Sequence, residues 1–200
     1  MTLPIAVCVS GRGSNLGAII DACANGRLNA HVVLVASSRA NVAALDRARR
    51  AGVPSAEFAV TRATRAAAQA AMARAIREAG ARLVVLAGYD RILADAFWDE
   101  LGDVPVINIH PSLLPAFGGL NGIRVHEAVI AAGARESGAT VHRAHRGTLD
   151  EGEIVVQRRV PVMPGEDAEA LAARVLAEEH RAIVEAIALF GAHPAALARP

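Results

Sequence analysis

The sequence predicts an α/β protein with a mostly parallel twisted sheet, helices on both faces and an antiparallel edge near the C-terminus. Three observations carry this. From Ile5 to Val106, short aliphatic runs alternate with stretches of helical periodicity, the order of a parallel sheet joined by crossover helices. Glycine-rich or polar segments follow several of those runs directly, as at the carboxyl ends of strands where open sheets hold ligands. Beyond Pro115, two strand-like runs follow with no helix between them, which calls for antiparallel pairing.

Ile5–Val9 is a short apolar strand, followed at once by Ser10-Gly11-Arg12-Gly13-Ser14-Asn15. Leu16, Ile19, Ile20 and Cys23 then recur at helical spacing. A strand, a glycine-rich turn and a helix start make a ready anion site, because unpaired backbone N–H groups and the helix dipole point the same way. Ser14 and Asn15 add side-chain donors. The turn does not match G-x-G-x-x-G and lacks the Walker lysine, so it suits a terminal phosphate better than a dinucleotide. A purely structural turn would use the same glycines.

His31–Ala36 reads as the second strand, Val42–Ala51 as a helix ended by Gly52, and Val53–Phe58 as a weak third strand. Arg62–Ala79 is an alanine- and arginine-rich helix closed by Gly80. Arg82–Ala87 is a fully apolar fourth strand, with Gly88-Tyr89-Asp90-Arg91-Ile92-Leu93 at its carboxyl end, and Ala94–Leu101 is a short helix.

The most informative stretch is Val104–Pro115. Val106, Ile107 and Ile109 form a β-branched run typical of a buried strand. Asn108 and His110 interrupt it at a spacing of two, so both side chains leave on one face. Two polar groups on an apolar strand are costly unless partnered or used, and Pro111 ends the ladder. A satisfied core histidine beside a capping asparagine is the plainer alternative.

Ala116–Gly122 is a glycine-rich loop and Ile123–Ala132 a short helix. Ala139–His142 and Ile154–Val162 are the two antiparallel strands, joined by Arg143–Glu153. Asp167–Phe190 is a long helix with Leu171, Val175, Ile183 and Ile187 facing inward. Residues 1–190 read as a single domain, and 191–200 as a frayed tail.

Composition narrows the function. A formal net charge of +1 gives no electrostatic argument for nucleic acid or an anionic membrane. No apolar run approaches a membrane span and no cleavable leader is apparent, so a cytoplasmic protein acting on small molecules is expected. Cys8 and Cys23 are too few and too isolated for a disulfide framework or a zinc site. All 21 basic residues are arginine, which excludes Schiff-base lysine chemistry.

The turn Thr148-Leu149-Asp150-Glu151-Gly152 can bring a carboxylate toward His110. An Asn, a His and an Asp without a nucleophilic Ser or Cys suit direct transfer through a tetrahedral intermediate. Asn108 and a protonated His110 would bond the developing oxyanion, and Asp150 would favour the imidazolium. His142, His145 and Asp150 as metal ligands are the weaker reading, because they lack tight ligand spacing.

Four motifs together resemble the phosphoribosylglycinamide formyltransferase family. They are Ser10-Gly11-x-Gly13-Ser14-Asn15-Leu16, Ala87-Gly88-Tyr89-x-Arg91-Ile92-Leu93, Asn108-Ile109-His110-Pro111-Ser112-Leu113-Leu114-Pro115, and Leu149-Asp150. The resemblance implies a Rossmann-like formyltransferase fold and transfer of a formyl group from 10-formyltetrahydrofolate to glycinamide ribonucleotide in purine biosynthesis, without a metal. It implies that Gly13, Ser14 and Asn15 hold the phosphate and that Glu179 binds the ribose hydroxyls. It assigns Arg65 and Asp90, Arg91, Ile92 and Leu93 to the folate, with Asn108, His110 and Asp150 as the catalytic group. It also implies a cis peptide between Leu114 and Pro115, and a monomer or homodimer. Asp90 stands where the family often has methionine, Leu176 where it often has a polar residue, and the stretch from His142 to Asp150 is one residue longer.

A formyltetrahydrofolate hydrolase, with water as acceptor, would carry a second histidine where this chain has Pro111. A methionyl-tRNA formyltransferase needs a basic surface and a further domain. A non-catalytic nucleotide-binding module would keep the glycine-rich turn but has no use for Asn108, His110 and Asp150 together.

Overall fold

The computed structural model describes residues 2–193. Its strands are β1 (Leu3–Val9), β2 (Ala30–Ser37), β3 (Ser55–Glu57), β4 (Leu83–Leu86), β5 (Val106–His110), β6 (Glu136–Arg143) and β7 (Ile154–Pro161). Its helices are α1 (Ser14–Ala24), α2 (Ala43–Arg50), α3 (Arg65–Glu78), α4 (Asp95–Leu101), α5 (Ile123–Ala131) and α6 (Ala168–Ala192). The strands form one sheet in the order β3-β2-β1-β4-β5-β6-β7. The pairs from β3 to β5 are parallel, and β5–β6 and β6–β7 are antiparallel.

Side chains of a strand alternate between faces, so a sheet covered on both sides reads as a continuous apolar run. In β1, Ile5, Val7 and Val9 enter one core with α1, α2 and α6, while Ala6 and Cys8 enter the other with α3 and α4. The helices face the sheet with their periodic residues: Leu171, Val175, Ile183 and Ile187 of α6 are all fully buried. Truncating one of these to alanine costs about 2–5 kcal/mol. On the opposite face Phe97 and Trp98 of α4 meet edge to face, their centroids 5.6 Å apart.

Strand order reverses between β1 and β4, so the crevice lies between the loops that leave their carboxyl ends. Those loops are joined: Ser10 N–H donates to Gly88 O (3.1 Å), and Asp90 N–H donates to Ser10 Oγ (3.0 Å).

Boundaries differ from those expected where side chains or edges intervene. α3 starts at Arg65, not Arg62, because Thr61 and Thr64 bond each other's backbone N–H groups and Thr64 Oγ1 donates to Ala59 O, a local alternative to the helical ladder. β3 shrinks to three residues at the sheet edge, after Pro54. β6 begins earlier, at Glu136, where Gly138 lets the β7 backbone approach: a Cβ there would lie 2.0 Å from Arg158 O. α6 continues through Gly191 and Ala192, residues assigned to the tail by the sequence, and residues 194–200 of that tail lie outside the described residues. The Leu114–Pro115 peptide is cis. Among the described residues no helix is long and apolar enough to cross a membrane.

Candidate active site

Asn108 and His110 leave the carboxyl end of β5 on one face, as their spacing requires. The antiparallel register sets His142 of β6 opposite Asn108 and Thr140 opposite His110. Thr140 fixes the turn after His110: its hydroxyl donates to Ser112 O (2.6 Å) and accepts from Leu114 N–H (3.1 Å).

Asp150 comes from the loop between β6 and β7. That loop closes through Arg143 N–H to Glu153 O (2.9 Å), and a Cβ on Gly152 would stand 1.8 Å from Arg143 O. Only glycine permits this approach. Asp150 itself has φ 58°, a left-handed conformation uncommon outside glycine, asparagine and aspartate. This conformation aims the carboxylate into the protein, where only 6% of the side chain remains exposed.

Asp150 Oδ2 lies 3.3 Å from His110 Nδ1 and accepts from Gly119 N–H (2.9 Å). Its Oδ1 lies 3.4 Å from His142 Nε2 and accepts from Asn108 Nδ2 (3.3 Å). His142 Nδ1 donates to Arg143 O (2.8 Å), and its Nε2 faces both Asn108 Nδ2 (3.1 Å) and Asp150 Oδ1: an Nε2 without hydrogen accepts from Asn108, and one that carries hydrogen donates to Asp150. Both amide hydrogens of Asn108 thus face groups inside the protein. An incoming oxygen must compete with His142 or Asp150 for one of them.

Burial would raise the Asp150 pKa, but hydrogen bonds from His142 and the Gly119 amide, with the charge of His110, hold it below the ordinary carboxylate value. The His110 pKa is lowered, first by burial; Asp150 and the Phe117 carbonyl oppose that, and His142 adds to it. Asp150 therefore acts on His110 in the expected direction, yet the net shift is downward because desolvation outweighs it. His110 Nε2 sits 3.1 Å from Phe117 O. A carbonyl only accepts, so Nε2 carries hydrogen, and Nδ1 faces an ionised carboxylate. Only the imidazolium satisfies both nitrogens, while burial works against that charge. The result is a ring that gives up a proton readily.

The glycine-rich turn ends at Gly13, the N-cap of α1, with φ 69°. A Cβ on Gly13 would lie 2.7 Å from Ala44 Cβ, so both conformation and space require glycine. Ser14 opens the helix, and Asn15 Nδ2 donates to Glu179 Oε2 of α6 at 3.2 Å. Glu179 is buried and its pKa is pushed up to about 7 by desolvation, against the hydrogen bond from Asn15 and the charge of Arg12. Through Asn15 the glycine-rich turn is thus joined to Glu179.

A cavity of about 350 Å³ opens beside Asn108 and Asp150, with Arg65, Arg91, Ile92 and Leu93 on its far wall. A second, of about 680 Å³, continues from Arg65, Asp90, Arg91 and Ile92 toward Arg62. Leu86, Tyr89 and Trp98 give the smaller cavity an apolar floor, and its arginines suit carboxylates: the donor set fits a flat, carboxylate-bearing heterocycle such as a folate. Asp90 pairs with Arg39 and lies 3.6 Å from Arg91, so the polar wall implied by its replacement of methionine is neutralised.

Three contributors are not apparent from residue spacing. The sequence offers His142 only as a metal ligand with His145, but His145 turns outward to Glu153 (2.6 Å). Two-residue alternation in β6 places His142 beside Asn108 only once the register of its pairing with β5 is fixed. Phe117 and Gly119 contribute through backbone atoms, which leave no signal in residue type.

A Rossmann-like sheet carrying these three side chains at its carboxyl edge, between a glycine-rich turn at a helix start and an arginine-lined cavity, has the build of a group-transfer enzyme. The family model described as formyl transferase matches residues 3–187. The chain is 37% identical to the phosphoribosylglycinamide formyltransferase of Haemophilus influenzae, over 88% of this chain and 82% of that protein. It is 42% identical to the trifunctional purine biosynthetic protein adenosine-3 of Drosophila pseudoobscura over 92% of this chain, and spans 13% of that protein's length. The solved structure of glycinamide ribonucleotide transformylase 1 from Symbiobacterium toebii superposes with a TM-score of 0.87 at 42% identity, covering 96% of this chain and 88% of that one. The chain belongs to the formyl transferase family, in its phosphoribosylglycinamide formyltransferase branch.

Proposed function

We propose that this protein transfers the formyl group of 10-formyltetrahydrofolate to the amine of 5'-phosphoribosylglycinamide. The observation that carries this reading is the position of Asp150, whose two oxygens join His110 to Asn108 and His142 at the edge of the cavity lined by Arg65 and Ile92. The family and the named relatives support the same chemistry.

Gly13, Ser14 and Asn15 hold the phosphate against the start of α1, and Glu179 accepts from the ribose hydroxyls. Arg65 and Asp90–Leu93 hold the folate. The substrate amine attacks the formyl carbon, and its electron pair forms the new C–N bond while the carbonyl electrons move to oxygen. Asn108 bonds that oxyanion, as does His110 once its Nε2 hydrogen leaves Phe117 O. Collapse breaks the bond to the folate N10, which takes a proton from His110, and the attacking nitrogen loses one to solvent. Asp150 holds the ring and favours its charged form.

On this reading residues 1–190 act as one domain, as a monomer or homodimer in the cytoplasm, on small molecules, without metal or nucleic acid. Incubation with 10-formyltetrahydrofolate, with and without the ribonucleotide, tests it. Release of deformylated folate should require the ribonucleotide. Release at the same rate without it would mean that water is the acceptor, and no release in either case would defeat both enzymatic readings.

A further inference from the structure

Gln69 is fully buried in α3, and its amide is engaged on every side by one segment. Nε2 donates to Tyr89 Oη (2.9 Å) and to Ile92 O (3.1 Å), and Oε1 accepts from Ala94 N–H (2.7 Å). These partners span the loop that leaves β4, including the stretch lining both cavities. Gln69 also lies four residues after Arg65, one helical turn on, so the two share a face of α3. Arg65 and Ile92 both line the two cavities. One buried amide therefore fixes the distance between the helix that presents Arg65 and the backbone that presents residues 90–94.

We propose that Gln69 is a positioning residue for the donor side of the site: it holds the 90–94 wall at the height the folate needs, without touching the transferred group. This rests on the function proposed above. Segment 89–94 has no secondary-structure ladder of its own, and Ile92 is 60% exposed. Its other anchors include Asp90 N–H on Ser10 Oγ and the exposed Arg39–Asp90 pair at the near end, and Phe97 N–H on Ala94 O (2.9 Å), which ties the far end to α4 but not to α3. The hydrogen bonds that tie the far end to α3, the helix that presents Arg65, come from Gln69. Substitution there leaves the Ala94 amide and the Ile92 carbonyl without their partner, and the wall is free to shift.

The test uses Gln69→Met, which fills the space without hydrogen bonds, and Gln69→Glu. In the latter a carboxylate meets Ile92 O acceptor to acceptor, whereas its protonated form can donate. Binding of tetrahydrofolate by calorimetry, KM for each substrate, and amide hydrogen exchange of residues 90–94 are measured on the full chain. Gln69→Met should weaken tetrahydrofolate about tenfold or more and raise the donor KM by the same factor, with the ribonucleotide KM within about twofold and exchange at 92–94 accelerated. Gln69→Glu should recover tetrahydrofolate affinity as pH falls, relative to wild type, and Gln69→Met should not. Unchanged exchange at 92–94, an unchanged donor KM, or equal rises in both KM values would overturn the proposal. A Gln69→Met chain that does not fold leaves the pH-dependent recovery of Gln69→Glu as the deciding result. Failure of the wild type to bind tetrahydrofolate would defeat the function itself, whereas a wild type that binds and variants that bind equally well defeat only the role of Gln69.

Discussion

Asp150 approaches His110 Nδ1 to 3.3 Å from a backbone conformation that few residues adopt, with φ 58°. The carboxylate is held ionised by Gly119, His142 and the ring itself, so it stabilises a charge on His110 that burial disfavours.

Replacing Asp150 by Asn keeps the shape and removes that charge. The carboxylate raises the His110 pKa, so its loss lowers it, and the pH–rate limb reporting the histidine should move to lower pH. Combined with His110→Ala, the loss should be far less than multiplicative. A stationary limb, or fully multiplicative losses, would show that Asp150 acts apart from His110.

On the proposed mechanism Asn108→Ala removes an oxyanion donor, and it should lower kcat by about 10²–10³. His110→Ala should cost at least as much, because the ring also supplies the proton, a contribution typically worth about 10²–10⁴. Steady-state rates on both variants decide the order, and a milder His110→Ala contradicts the assigned roles.

His142→Leu deprives Asn108 Nδ2 of its 3.1 Å partner. An unpaired buried polar group costs about 1–3 kcal/mol, or about 5–150-fold. That cost should appear in unfolding stability, and kcat should fall by much less than for His110→Ala, because the freed amide hydrogen stays available to the incoming oxygen. A fall as large as that for His110→Ala would give His142 a direct part in the chemistry.

Glu179 has a pKa pushed up to about 7, above its ordinary 4.5. If Glu179 binds the ribose as proposed, only its carboxylate accepts fully from the hydroxyls, so the ribonucleotide KM should rise as pH falls below about 7, and this rise should be absent in Glu179→Gln. Stability has the opposite slope. The raised pKa means that the contribution of the protonated form is complete below 4.5 and is lost as pH rises through about 7. Melting temperatures of wild type and Glu179→Gln should diverge across that window, and parallel curves would contradict the shift.

Phosphate should dominate acceptor recognition at the Gly13–Asn15 turn. The ribonucleoside without its phosphate should bind at least tenfold more weakly than the ribonucleotide. Equal affinities by calorimetry would reduce the turn to a structural element.

Much of this is legible in the sequence, for identifiable reasons. The two-residue alternation of Val106–His110 is enough to put Asn108 and His110 on one face, and glycine with Ser14 marks the start of α1. What the sequence hides depends on register and backbone. His142 enters the site only because β6 pairs with β5 at that offset. Phe117 O and Gly119 N–H act through atoms every residue has. The net fall of the His110 pKa is set by burial, which spacing in a chain does not report.

The β5–β6 ladder has an architectural consequence. It fixes the heights of Asn108, His110 and His142 through main-chain pairing, independently of the length of chain from Leu120 to Arg135 that joins the two strands. Within that connection the exposed turns on either side of α5, 120–122 and 132–133, are therefore places where residues can be gained or lost, or new chain ends opened, while the reacting groups keep their spacing and α5 keeps Val125 and Val129 buried. The strand itself has no such latitude. One residue inserted between Val106 and Asn108 shifts the pleat and sends both polar side chains into the opposite layer, so the tolerance of this protein to changes in length is divided sharply between neighbouring segments.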